Sequence, residues 1–122
     1  MSESTSPITF QADVEIAQKL RVAIKTASVT QPPEVDIAGA TEHGVGVNQY
    51  LVKIGQDCAV VPFNKTGTIE MVAAGAFNAG VDIYPAAGGK VDDAVSGEKI
   101  GVSMEVATAD GDIVEIMPHH GA

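Results

Sequence analysis

From residue 39 onward, glycines recur at short intervals, and short apolar alternations fill the gaps between them. Gly39, Gly44, Gly46, Gly55, Gly67, Gly75, Gly80, Gly88, Gly89, Gly97, Gly101 and Gly111 mark the breaks. The stretches 50–54, 59–63, 68–73, 81–84, 100–107 and 113–117 alternate or run apolar between them. Each is too short for a helix that buries one face, and each has the period of a half-buried strand. Turn signals at this spacing predict an all-β fold, a small barrel or a sandwich. Pro62, Pro85 and Pro118 then belong at strand ends, edges or bulges, because proline donates nothing to a ladder.

The N-terminal third fits the same scheme less cleanly. Arg21–Lys25 alternates, with Val22 and Ile24 on one face and Arg21, Ala23 and Lys25 on the other. Pro32 and Pro33 end it, and 34–38 forms a second strand. Residues 13–20 are ambiguous, since Ile16 and Leu20 stand at i and i+4 and Asp13 is placed to cap a short helix. Residues 91–95 are the other candidate for a helical turn. Residues 1–12 are polar and Ser/Thr-rich around isolated apolar Ile8 and Phe10, which predicts an extended arm. Ile8, Thr9 and Phe10 are its candidate contact with a neighbouring subunit. With no exact repeat and no linker, residues 13–122 read as a single β domain.

A chain of 122 residues is one domain's length and needs neither disulfide nor metal to bury a core. It has no Trp, three Phe and two Tyr, so small β-branched side chains must fill that core. No apolar run approaches the roughly 18 residues of a membrane span. The first residues lack the basic patch and apolar run of a secretory signal. The net charge is −9, with the greater share in the second half. Such a chain repels phosphate backbones and anionic membranes, which disfavours direct nucleic-acid or membrane binding.

The residues with chemical potential form no catalytic pattern. Cys58 opens an apolar run without a basic neighbour, so it reads as core rather than as a nucleophile. His119 and His120 lie near the end of the chain without further ligands beside them. Asp110-Gly111-Asp112 reads as a hairpin turn rather than a calcium loop. Gly88-Gly89-Lys90 lacks the spacing of a phosphate loop.

Two segments carry a resemblance. Residues 75–91, GAFNAGVDIYPAAGGKV, and 100–116, IGVSMEVATADGDIVEI, resemble the cement, or head-decoration, proteins of tailed bacteriophages. That family has a Gly-Asp-x-Val-Tyr-like strand, a Gly-Lys-Val turn, an Ile-Gly-x-Ala-Leu-Glu-x-Ala strand, an acidic turn and a terminal apolar strand. Gly80-Val81-Asp82 and Ser103-Met104-Glu105 depart slightly from it. The resemblance spans residues 35–117. It makes Gly80, Gly89, Lys90, Asp110 and Gly111 structural turn residues. It implies a β-barrel-like virion protein on the outer surface of the capsid, made in the host cytoplasm. The implied partners are the major capsid protein and two further copies of the chain in a homotrimer at threefold or quasi-threefold sites. It implies no enzymatic activity and no cofactor.

Two other readings compete. A carbohydrate-binding β-domain stacks sugars on exposed aromatics, in which this chain is poor. The other is an enzyme or a lipoyl- or biotinyl-type carrier, the latter presenting a lysine at a tight hairpin. Gly89-Lys90-Val91 is superficially similar but lacks the expected flanking residues.

Overall fold

A computed structural model describes residues 8–25, 33–63 and 67–118. These residues form ten short strands: β1 (Ile8–Ala12), β2 (Arg21–Ile24), β3 (Glu34–Ile37), β4 (Gly46–Asn48), β5 (Asp57–Pro62), β6 (Ile69–Val72), β7 (Asp82–Pro85), β8 (Val91–Asp92), β9 (Gly101–Ser103) and β10 (Ile113–Pro118). The single helical element among them is a 3-10 turn at Ala87–Gly89. The fold is all-β, as the glycine and alternation pattern predicts. Pro62, Pro85 and Pro118 are each the last residue of a strand.

The first five strands close into a barrel in the order β1-β3-β2-β4-β5, with β5 returning to β1. The β1–β3 pair is parallel and the rest are antiparallel. The second five form a sheet in the order β6-β10-β9-β7-β8. That sheet curls until its edges meet at one parallel bridge, Ala73 to Val91.

The second set repeats the first, residue for residue. Ile8 facing Val60 becomes Ile69 facing Ile116. Arg21 facing Val47 becomes Asp82 facing Val102. Ile24 facing Val35 becomes Pro85 facing Val91. Gly46 facing Pro62 becomes Gly101 facing Pro118. The bridge Ile16–Val52 becomes Phe77–Ala107, and the parallel rung Ala12–Val35 becomes Ala73–Val91. Loop hydrogen bonds follow the same rule. Lys19 N to Asn48 O and Gly80 N to Ser103 O are both 2.7 Å, and Gly55 N to Ala12 O and Gly111 N to Ala73 O are both 2.8 Å. The fold is thus a tandem duplication that the two sequences conceal.

The cores interlock. Val47, Val61 and Phe63 of the first repeat pack with the core of the second, among Ile69, Met71, Ile83, Ile100 and Ile116. Val72 of the second packs into the first, among Ile16, Val22, Val35 and Val60.

Five expectations need correction. Residues 8–12 are a barrel strand, not an arm; residues 1–7 lie outside the described residues. Phe10 is 9% exposed and sits in its own barrel core, where burial gains about 2 kcal/mol that an exposed arm would forgo. No helix forms at 13–20, because Ile16 bridges Val52 and Lys19 turns to a positive φ of 63°. Residues 91–95 hold the short strand β8 rather than a helical turn. Residues 50–54 are a loop bridged at Val52, since β4 ends at Asn48, and the expected strand 100–107 is cut short in the same way, β9 ending at Ser103 with Ala107 in an isolated bridge.

Gly46 and Gly101 show why both copies need glycine at this point. A Cβ on Gly46 would run into the carbonyl of Val61, and one on Gly101 into that of Met117. Gly46→Ala and Gly101→Ala should each lower unfolding free energy in urea by about 2 kcal/mol or more. Gly75→Ala, whose methyl would come no nearer than 3.9 Å to Asp92, should stay within about 0.5 kcal/mol. Equal tolerance at all three sites would contradict the packing.

Candidate functional site

The two repeats meet at a buried cation. Arg21 is 0% exposed at the start of β2. Among the described residues its guanidinium donates to backbone carbonyls alone. From the first repeat it reaches Glu42 O, His43 O at 3.4 Å and Gly39 O at 3.2 Å. From the second it reaches Lys90 O at 3.0 Å and Ala86 O at 2.7 Å. A planar fork of five N–H donors suits such a ring of acceptors, which a lysine cannot match. Burial pulls its pKa down to about 10, against the opposing attraction of Glu42. Arg21 therefore stays charged at neutral pH.

Lys19 makes the neighbouring link. It is the one non-glycine residue at positive φ among the described residues, and Gly80 holds the same position in the second repeat. Its carbonyl accepts from Val72 N at 3.2 Å, and its ammonium pairs with Glu70 at 3.3 Å. Both bonds cross the junction and offset a backbone strain of about 1 kcal/mol. Beside them lies a cleft of about 290 Å³, lined by Lys19, Gln49, Val61, Thr68, Ile69, Glu70 and Glu115. Glu70 and Glu115 stand directly opposite each other across β6 and β10.

A carboxylate cluster occupies the parallel seam of the first barrel. Lys25 Nζ lies 3.3 Å from Asp13 and 3.6 Å from Glu34. Hydrogen bonds from Asp36 and then Lys25 hold the Asp13 carboxyl below its ordinary value. Burial first, and the bond to Asp13 second, push Asp36 up. Asp36 Oδ1 is buried without a hydrogen-bond partner among the described residues.

Two of the turns singled out by sequence come together. Lys90 Nζ bonds Asp110 Oδ1 at 2.8 Å, which ties the Gly-Lys-Val turn to the acidic turn. Gly89 packs under the first repeat, where a Cβ would come within 2.9 Å of Ile37 and 3.0 Å of Arg21 O. Gly111 has φ 99°, and Gly80 has φ 82° at the turn into β7. Thr9 is exposed on β1, and Ile8 pairs with Val60. These two lie in the opposite half of the molecule from the turns. Cys58 is buried, its thiol donating to Asn48 Oδ1 at 3.0 Å, and burial pushes its pKa up to about 11. It is an unreactive thiol. His119 and His120 lie outside the described residues. Arg21 and Asn48 escaped the sequence reading. The visible signal for Arg21 was a cation inside an apolar alternation.

The fold so defined is a tandem pair of five-stranded β-units clamped on one buried arginine. It is similar to the crystal structure of the N base of head fiber gp8.5 in bacteriophage phi29. The TM-score is 0.77 at 15% sequence identity, over 92% of each chain. At that identity the likeness shows a shared fold. No family model matches this sequence, and no curated protein sequence does.

Two outcomes follow from the junction and the seam. Arg21→Lys should cost about 2–3 kcal/mol in chemical denaturation, because one ammonium cannot satisfy carbonyls from both repeats. Asp36→Asn should raise Tm at pH 7. The native pKa of Asp36 is raised, so its ionisation weakens the fold as pH rises through that value. The gain should shrink toward pH 3, where Asp36 is already protonated. A gain that is constant with pH would contradict this assignment.

Proposed function

We propose that this chain is a structural protein of a tailed-phage head. It binds the major capsid protein on the outer surface of the shell, as a homotrimer at threefold or quasi-threefold sites, and stabilises the expanded lattice. The observation that carries the reading is the likeness, over nearly the whole chain, to the base of a phage head fibre. The decoration-protein resemblance of residues 35–117 points the same way independently.

The physics of the task suits the molecule. Packaged DNA pushes shell subunits apart, and a bridging protein resists by holding neighbours together. Each contact need only be modest, because a trimer meets the lattice three times and effective concentration multiplies the affinity. Two repeats with interlocked cores give a stiff body that transmits load between contacts. The net charge of −9 keeps the free protein soluble before assembly and disfavours packaged nucleic acid as its ligand.

The test is sedimentation of the purified chain with expanded, DNA-free heads that lack it, alongside its solution mass by light scattering. A trimer, or a monomer, that pellets at a fixed ratio to the shell protein is the expected result. Decorated heads should also rupture at a higher temperature than bare ones. A protein that stays in the supernatant at every concentration would overturn the reading.

A further inference from the structure

The two loops that the Ile16–Val52 bridge joins carry exposed apolar side chains that the core does not use. Tyr50 is 68% exposed, Leu51 57%, Ile54 70% and Val14 38%. The bridge between Ile16 and Val52 sets Val14 across from Ile54 and Glu15 across from Lys53. The Glu15–Lys53 ion pair, at 3.3 Å, borders the patch. Exposed apolar side chains rimmed by a charged pair are the ordinary anatomy of a protein contact.

The duplication shows that this surface is a choice. The position of Tyr50 in the first repeat is that of Glu105 in the second. The same backbone thus accepts a carboxylate there. Both copies fix the loop in the same way. Asn48 Nδ2 donates to Tyr50 O at 2.5 Å, as Ser103 Oγ donates to Glu105 O at 2.5 Å. Gln56 Oε1 accepts from Lys53 N at 2.8 Å, as Asp112 Oδ2 accepts from Thr108 N at 2.8 Å. Further bonds differ between the copies, Glu105 Oε1 accepting from Glu115 N at 2.8 Å in the second, and so does the charge of the surface. The second loop carries Glu105, Asp110 and Asp112, whereas no carboxylate lies between Glu42 and Asp57. The carboxylate beside this loop, Glu15, is paired with Lys53.

We propose that Val14, Tyr50, Leu51 and Ile54 form the face that docks on the shell protein, a deduction that rests on the function proposed above. The size of the patch selects the partner. Four such side chains expose on the order of 400 Å² of apolar surface, about half of what each partner buries in a stable pairwise complex. A contact of that size holds where it is repeated on one rigid object, as on a lattice of identical subunits. The partner surface is apolar and uncharged at its centre. The loop is already held at Tyr50, Val52 and Lys53, so docking orders little backbone.

The test uses Tyr50→Glu with Ile54→Glu in the full chain, and Val106→Glu on the sister loop as a control, in sedimentation with expanded, DNA-free heads. The double variant should unfold at the wild-type temperature, form the wild-type oligomer and lose head binding at least tenfold, while Val106→Glu binds normally. If the double variant does not fold, Tyr50→Glu alone carries the test, because the fold already holds a glutamate at position 105. Wild-type saturation by the folded variant would overturn the docking face and leave the head-protein reading intact. A smaller oligomer in light scattering would assign the patch to contact between copies and overturn it too. If wild type itself fails to bind heads, the face and the proposed function fall together.

Discussion

The buried guanidinium of Arg21 decides how the two halves of this molecule sit. An arginine with no exposed surface would be costly if its donors went unmet. Here its acceptors are backbone carbonyls, which cannot be supplied by one repeat alone. Gly39, Glu42 and His43 come from the first, and Ala86 and Lys90 from the second. Separating the repeats would strand a charge and several carbonyls together. The junction therefore resists hinge motion more strongly than its apolar contacts alone would.

The same junction explains the difference between the closed first barrel and the curled second sheet. In the first, Gln11 N donates to Pro33 O and the parallel seam is closed by successive rungs. In the second, the corresponding N–H belongs to Val72, and it donates to Lys19 O across the junction. One rung is thus surrendered to the partner repeat, and the second seam closes through Ala73 and Val91 alone. A positive φ at Lys19 aims that carbonyl. In the second repeat Gly80 holds that position, at φ 82°.

Much of the strand inventory was legible because glycines, prolines and alternation are local signals. The duplication was not. What it conserves is sparse: a glycine where strands approach closely at 46 and 101, a glycine at positive φ at 55 and 111, a proline at 62 and 118, a small polar side chain buried at 48 and 103. Everything else needs only to be apolar on the correct side, and many residues satisfy that. The arm reading failed at 8–12 for a related reason. Isolated apolar residues in a polar stretch look unable to fold alone, yet β1 borrows its core from β3 and β5. Arg21 escaped because a cation in an alternating stretch ordinarily faces water. Its neighbour Ile24 is the one that is 46% exposed. A junction between repeats inverts the usual rule, because the face that would meet water meets the other repeat instead.

Duplication also separates what a residue does for the fold from what it does for the surface. Asn48 and Ser103 both brace the loop that follows them, so bracing is the inherited task. Asn48 adds bonds to Ile16 O at 3.2 Å and Ala17 O at 3.0 Å, and accepts the Cys58 thiol. The first repeat thus fixes its loop to two further segments, and that loop bears the exposed tyrosine, leucine and isoleucine. Both loops are held by several side-chain bonds, and the first is the one that exposes a tyrosine and an isoleucine. Rigidity under an exposed apolar loop is hard to explain by stability alone, since replacing those side chains with polar ones would cost the core nothing. It follows naturally if the loop must present a fixed shape to a partner, where each ordered residue saved on contact strengthens a small interface.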